Sequence, residues 1–296
     1  MDILPQLLVN ALIQGSIYAL ASAGLTLSYG LLRILNFAHG HLLMFGAYIF
    51  YFFAVTLEQN LLVSSLGCAA IMLFVALFTL NIFVLPFVRY SSMLVFVTTL
   101  AFSSILESLV AMLFGVEVKT LTANIDISAR EIYGVFITDI QILIIVSAIA
   151  ILSTLAFIVH STAFGRSIRA LSEFAPGAES LGINQKRTVG MVFAVSILLA
   201  TYAGILVGYE TNLQPTMGNI YTIKAFAAMV LGGLGNIWGT IAGSYILGMV
   251  ENLAVGLDLG DFSIPAGYKD AFAFAIILLV LLFKPHGLFN RASRRA

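Results

Sequence analysis

Five lysines, four histidines, one cysteine and two carboxylates set in apolar runs are the groups with which this 296-residue chain could do chemistry. Phosphate transfer is excluded first. A phosphate-cradling loop needs Gly-x-x-x-x-Gly-Lys-Ser/Thr, so that backbone amides and the lysine meet the phosphates. None of Lys119, Lys186, Lys224, Lys269 and Lys284 follows a glycine. The histidines are His39, His41, His160 and His286, with no His-Glu-x-x-His pattern. His39 and His41 are two apart and do not share a helical face. Cys68 stands alone in an apolar run, which rules out an intrachain disulfide and reads as a core residue. No nucleophile-and-base constellation suggests itself, so the chain is expected to be non-enzymatic.

Glu107 and Glu251 fall within apolar stretches, where an ionisable residue costs ~2.5–3.5 kcal/mol and faces a bundle interior or cavity. Each is open to two readings: a group on a translocation path or gate, or an interhelical hydrogen bond, with the second slightly favoured. Asn36 to His41 combines an amide, two imidazoles and Gly40 at the inner end of the first two apolar runs. Such a cluster suits a helix break lining a cavity, or a tight turn in which Asn36 caps the next helix. Asn36, His39 and Gly40 are read as structural and gating residues. Gln14, Ser16, Asn81, Thr98 and Thr99 are the remaining polar candidates for a pathway.

The elements that must position these groups are membrane spans. The chain is 60% hydrophobic and 9% charged, against about a quarter charged in a soluble domain. A bilayer-crossing helix needs ~20 apolar residues. Charge-free intervals of that scale run over Ile3–Leu32, Ile34–Leu57, Gln59–Val88, Ile140–Gly165, Thr188–Tyr209 and Ala225–Val250. Tyr90–Gly115 is interrupted only by Glu107, and Ala271–Phe283 is short unless flanking lysines snorkel. Gly232, Gly233, Gly235 and Gly239 mark a broken or re-entrant piece, followed by a span from about Thr240 to Leu257. The expectation is an all-α bundle of eight or nine spans, in one domain covering residues 1–296. Alternating crossings put Arg33, Arg89, Arg166, Arg169, Lys186, Arg187, Lys284, Arg291, Arg294 and Arg295 on one side. Glu58, Glu117, Asp126, Glu131, Asp139, Asp258 and Asp261 fall on the other. The positive-inside rule makes the basic side cytoplasmic, with the N-terminus outside and the C-terminus inside. Residues 116–139 then form an outer loop.

The inner segment of residues 161–187 is the most informative loop. Pro176-Gly177 is expected to split it into two short helices. Ala170, Leu171, Phe174, Ala178, Leu181 and Ile183 make an apolar surface rimmed by Arg166, Arg169, Glu173 and Glu179. An amphipathic helix at this place suits docking into a groove on another protein; an ordinary basic connector is an equally good reading of its chemistry.

Four stretches in order carry a resemblance. Gly165-Arg166-x-x-Arg169-Ala170 with Leu181-Gly182-Ile183-Asn184 resembles the cytoplasmic coupling segment of ABC importer permeases. Asn36-Phe37-Ala38-His39-Gly40, Leu231-Gly232-Gly233-Leu234-Gly235-Asn236, and Tyr268-Lys269-Asp270 with Lys284-Pro285-His286-Gly287-Leu288-Phe289 resemble the LivH-type permeases of branched-chain amino-acid ABC importers. The resemblance spans essentially the whole chain. It implies the ABC importer permease fold in a bacterial inner membrane, and alternating-access import of branched-chain or related amino acids. It also implies partners: a second homologous permease, two cytoplasmic ATPase subunits and a periplasmic solute-binding protein, with no nucleic acid. The chain itself would hold no cofactor, ATP and magnesium being handled by the ATPases. Gly165, Arg166, Arg169, Ala170, Glu173, Ala178, Leu181 and Gly182 would line the ATPase contact. A urea or short-amide permease of the same family and an ion-coupled secondary transporter are the alternatives.

Overall fold

The computed structural model describes residues 3–122, 129–132, 134–256, 269–284 and 287–289. Expected features at Asp126, Asp258, Asp261, Tyr268, Pro285, His286, Arg291, Arg294 and Arg295 lie outside these residues.

Helix follows helix. α1 (Leu4–Leu32) and α2 (His39–Tyr51) come first, α2 continuing as a π-helical turn over Phe52–Thr56. α3 (Leu61–Thr79) passes through a second π turn (Leu80–Val84) into α4 (Leu85–Val88), and α5 (Ser92–Phe114) returns. A short antiparallel hairpin, β1 (Ala129–Ile132) and β2 (Val135–Thr138), precedes α6 (Asp139–Ser161). Then come α7 (Ala163–Ser180), α8 (Gln185–Glu210), α9 (Met217–Gly232), α10 (Ile237–Gly256) and α11 (Lys269–Phe283). Side-chain caps set many of the starts. Asn60, Ser91, Thr162 and Asn184 each accept a backbone N–H at the N-terminus of their helix, and Thr138 forms a full capping box with Gln141. Pro86, lacking an N–H, follows the second π turn, and the Thr98 hydroxyl donates to the Phe83 carbonyl in that turn at 2.8 Å.

Among the described residues six helical runs are long and apolar enough to cross a bilayer, and α9 with α10 forms a further pair bent by 118°. α11, at 15 residues, is the short last element. The bundle is therefore the polytopic helical one expected, and its broken glycine-rich member is the α9–α10 pair. Both starts in this pair differ from expectation. α9 starts at Met217, upstream of Lys224 rather than after it, and α10 starts at Ile237 rather than Thr240. The charge-free criterion stopped at a lysine that the fold buries.

α1 and α8 form the centre: 67% of the most apolar stretch of each is buried, against 28% for α6 and 33% for α3 and α5. The peripheral helices consequently present aliphatic side chains outward, as lipid contact requires. α1 and α10 run antiparallel, joined by hydroxyl pairs, Ser22 with Ser244 at 2.7 Å and Thr26 with Thr240 at 2.9 Å. Such small polar residues let helices approach and still satisfy their hydroxyls in an apolar medium. At one end of the bundle the C-termini of α1 and α6 meet α7 and residues 235–238 around a cavity. At the other end Gln6 brackets the β2 backbone, donating to the Phe136 carbonyl at 3.0 Å and accepting its N–H at 2.8 Å.

Candidate functional site

The polypeptide leaves α1 at Arg33, whose left-handed backbone (φ 54°) turns the chain back into the bundle. Asn36 is buried, and its side-chain oxygen accepts the Ala38 N–H at 3.1 Å, shaping the turn that starts α2. His39 is fully buried and its Nε2–H donates to the Ala21 carbonyl at 2.9 Å. Ala21 lies 11 residues before the end of α1 at Leu32, about 16 Å along the helix axis. The Asn36–His41 cluster thus sits deep in the bundle, not at its inner surface as expected. The physical reason is satisfaction: the turn's backbone and imidazole groups find partners on α1, α5 and α9. The Gly40 N–H donates to Thr222 Oγ1 at 3.1 Å, and the Phe37 N–H to Thr99 Oγ1 at 3.2 Å. A side chain at Gly40 would collide with the Gly218 carbonyl and Thr222. Close approach of α2 and α9 is what that glycine permits.

Two carboxylates are brought to this level by separate routes. Glu107 on α5 meets the buried His41 at 3.2 Å, and the Asn219 side-chain amide donates to the same carboxylate oxygen at 3.1 Å. Its side chain remains 31% exposed. Glu251 on α10 is completely buried and takes the Tyr18 hydroxyl at 2.7 Å and the Lys224 ammonium at 3.0 Å. Lys224 also donates to the Tyr18 oxygen at 2.9 Å, so α1, α9 and α10 are tied at one point. For Glu251 the interhelical reading is the one this geometry matches. Lys224 and Asn219 were missed by sequence reasoning. A lysine seven residues past a helix start looks like a flank until its partner, 27 residues on, is known. Of the other candidates, Thr99 is buried behind the turn, Ser16 bonds Tyr245 on α10 at 3.1 Å, and Thr98 serves the π turn. Gln14 is half-buried on α1 and Asn81 exposed on the periphery.

The basic loop forms α7, with its break at Phe174 (φ −151°, ψ 90°), not at Pro176-Gly177 as expected. Pro176 lies in the first turn of the second piece, where its missing N–H costs nothing. Leu171 and Ala178 turn inward, whereas Phe174 and Leu181 are 66% and 84% exposed. Ala170 is half-buried and Arg166 and Glu173 are exposed. Arg169 reaches back to the carbonyls of Val159 and His160 and caps α6. A side chain on Gly165 would strike the Val159 carbonyl, and Gly182, at φ 85°, closes α7. Three of the eight expected contact residues therefore also hold the segment's own shape. Among the described residues no group of three or more metal-ligating side chains is found.

Residues 7–281 match the family model described as "Branched-chain amino acid transport system / permease component". The chain is 33% identical to the high-affinity branched-chain amino acid transport system permease protein BraD of Pseudomonas aeruginosa, over 97% of this chain and 95% of that protein. It is 31% identical, with the same coverage, to the corresponding permease protein LivH of Escherichia coli. A partial similarity, 33% identity over 44% of this chain and 38% of the relative, links it to the autoinducer 2 import system permease protein LsrC of Yersinia pseudotuberculosis.

Proposed function

The chain belongs to the family of branched-chain amino acid transport permease components, and from that premise we propose that it is the membrane-spanning permease subunit of an ATP-driven importer for branched-chain amino acids. The observation that carries the reading is α7. A kinked amphipathic helix held against the ends of α1 and α6 stands two large apolar side chains, Phe174 at its break and Leu181 just past its end, away from its own protein. Exposed apolar anchors on a rigid helix suit a groove on a partner. In this reading α7 lies at the cytoplasmic face, where the basic residues Arg33, Arg166, Arg169, Lys186 and Arg187 gather. Two ATPase subunits grip it and its counterpart on a second, homologous permease. A solute-binding protein delivers cargo at the opposite face, which carries the β1–β2 hairpin. ATP and magnesium are the partners' business.

The lever has a short route to the interior. Arg169 and Gly165 couple α7 to the end of α6, and the adjoining cavity is walled by α1 residues Thr26, Leu27 and Gly30 and by residues 235–238 of the glycine-rich bend. Movement of α7 reaches α1 and the α9–α10 pair, the elements that hold the buried polar cluster. Alternating access would then be rigid-body motion of these helices against the second permease.

Phe174→Asp and Leu181→Asp test this, because both side chains are exposed and neither substitution opens a cavity in the fold. In the reconstituted importer each is expected to lower uptake and binding-protein-stimulated ATP hydrolysis at least about tenfold, the scale of losing an interface anchor. Wild-type values of both rates in both variants would overturn the assignment of α7.

A further inference from the structure

Glu107 differs from Glu251, the other carboxylate at this level, in being partly exposed rather than fully buried. Its Oε2 accepts from His41 Nε2 at 3.2 Å and from Asn219 Nδ2 at 3.1 Å. No described residue donates to Oε1, and the side chain is 31% exposed. His41 Nδ1 is buried and has no hydrogen-bond partner among the described residues. A neutral imidazole with its proton on Nε2 fits that environment better than an imidazolium, which would bury an unmatched N–H. The two donors on Oε2 therefore lock the direction of the carboxylate.

The face onto which Oε1 opens is mixed. Glu107 lies 15 residues from the start of α5 and seven from its end, about 22 and 10 Å along the axis. It is thus at membrane depth. An ionised carboxylate facing acyl chains there would cost ~2.5–3.5 kcal/mol or more, so this side of α5 faces water or protein. Ser104 and Ser108, within one turn of Glu107 on α5, are exposed too, as are Asn219 on α9 and Thr216 just before it. Beside them Ile220 and Ile223 are each 47% exposed, and Leu100, two turns from Glu107 on α5, is 45% exposed.

Resting on the permease reading above, we propose that Glu107 is a transit subsite for the α-ammonium group of an aliphatic amino acid. Oε1 accepts from the ammonium, and Ile220, Ile223 and Leu100 form the apolar wall along which the side chain passes. His41 and Asn219 are positioning residues. They aim the carboxylate without touching the cargo. One anchored acceptor and a loose apolar wall bind weakly, which is what a site on a path requires, since tight binding would hold the cargo in place.

Two readouts test the proposal. Glu107→Gln retains a carbonyl oxygen for His41 and Asn219 but no charge. In the complete importer, reconstituted with saturating loaded binding protein, it is expected to cut amino-acid uptake at least about tenfold while still co-purifying with its partners. The second readout needs no transport. With Cys68 replaced by alanine, Ser104→Cys is reacted with an ethylammonium and an ethylsulfonate thiosulfonate reagent. The cationic reagent is expected to be favoured at least about tenfold over its preference for free cysteine, and Glu107→Gln to erase that preference. Wild-type uptake by Glu107→Gln, loss of assembly in that variant, or a Ser104→Cys that reacts with neither reagent or without charge preference would each overturn the subsite. The permease reading would survive all of these if the α7 variants still lose coupled uptake.

Discussion

Glu251→Leu is expected to destabilise the protein by about 3–5 kcal/mol, the cost of removing one member of a buried ion pair. The carboxylate is wholly shielded and accepts both the Lys224 ammonium at 3.0 Å and the Tyr18 hydroxyl at 2.7 Å. Deleting it removes a charge that pairs with Lys224 in a medium where water cannot replace it. Lys224→Met should cost a similar amount, by stranding the carboxylate. The double variant Lys224→Met, Glu251→Leu is the informative one. Replacing a buried pair by apolar groups of similar volume is often neutral, so it should recover most of the loss. Thermal unfolding of the purified permease in detergent, with the yield of folded protein, reads all three. A single variant as stable as the parent, or a double variant no better than either single, would show that the pair does not tie α1, α9 and α10 together. If the double variant folds but imports poorly, the pair would be serving transport as well as cohesion.

Gly239→Val is expected to destabilise by about 3 kcal/mol, the upper part of the range for overpacking. A Cβ at Gly239 would meet the Gly232 carbonyl, and one at Gly232 would meet the Gly239 carbonyl. The obstacle on each side is backbone, which cannot swing away as a side-chain tip can. The clash also lies at the hinge of the 118° bend, where Gly233 and Gly235 hold positive φ of 114° and 82°. Separating the helices there would loosen Gly243 as well, whose own Cβ would press on the Ala228 carbonyl. Gly190 on α8 is the internal control, since a Cβ there meets nothing within 4 Å. Gly190→Ala should be neutral or stabilising by up to about 1 kcal/mol, because alanine is the better helix former. Equal thermal midpoints for the Gly239→Val and Gly190→Ala proteins would refute the close-packed hinge.

Much of this architecture was legible without coordinates, and the reasons are local. Hydropathy accumulates along the chain one residue at a time, so Leu4–Leu32, Ser92–Phe114 and Gln185–Glu210 follow closely from where the charges stop. Asn60, Ser91, Thr138, Thr162 and Asn184 announce helix starts, because a cap and the amide it accepts lie within three residues of each other. The glycine cluster at 232–239 announces a sharp bend for an equally local reason.

What the sequence by itself determined, then, was that this chain lives in lipid, roughly where it crosses, and that its second half breaks at a glycine-rich turn. Only the tertiary structure decided which polar groups meet. Lys224 ended an apolar interval on paper, yet lies inside α9 because Glu251 and Tyr18 arrive from two other helices. His41 finds Glu107 from 66 residues away, Asn219 reaches it from 112, and the turn they share folds back about 16 Å into the bundle. Phe174 takes the kink in α7, which leaves Pro176 in the first turn of the second piece, where no amide is needed. Apolar burial is non-directional and sums along the chain; a hydrogen bond or ion pair in lipid depends on a partner that only helix packing can bring within 3 Å.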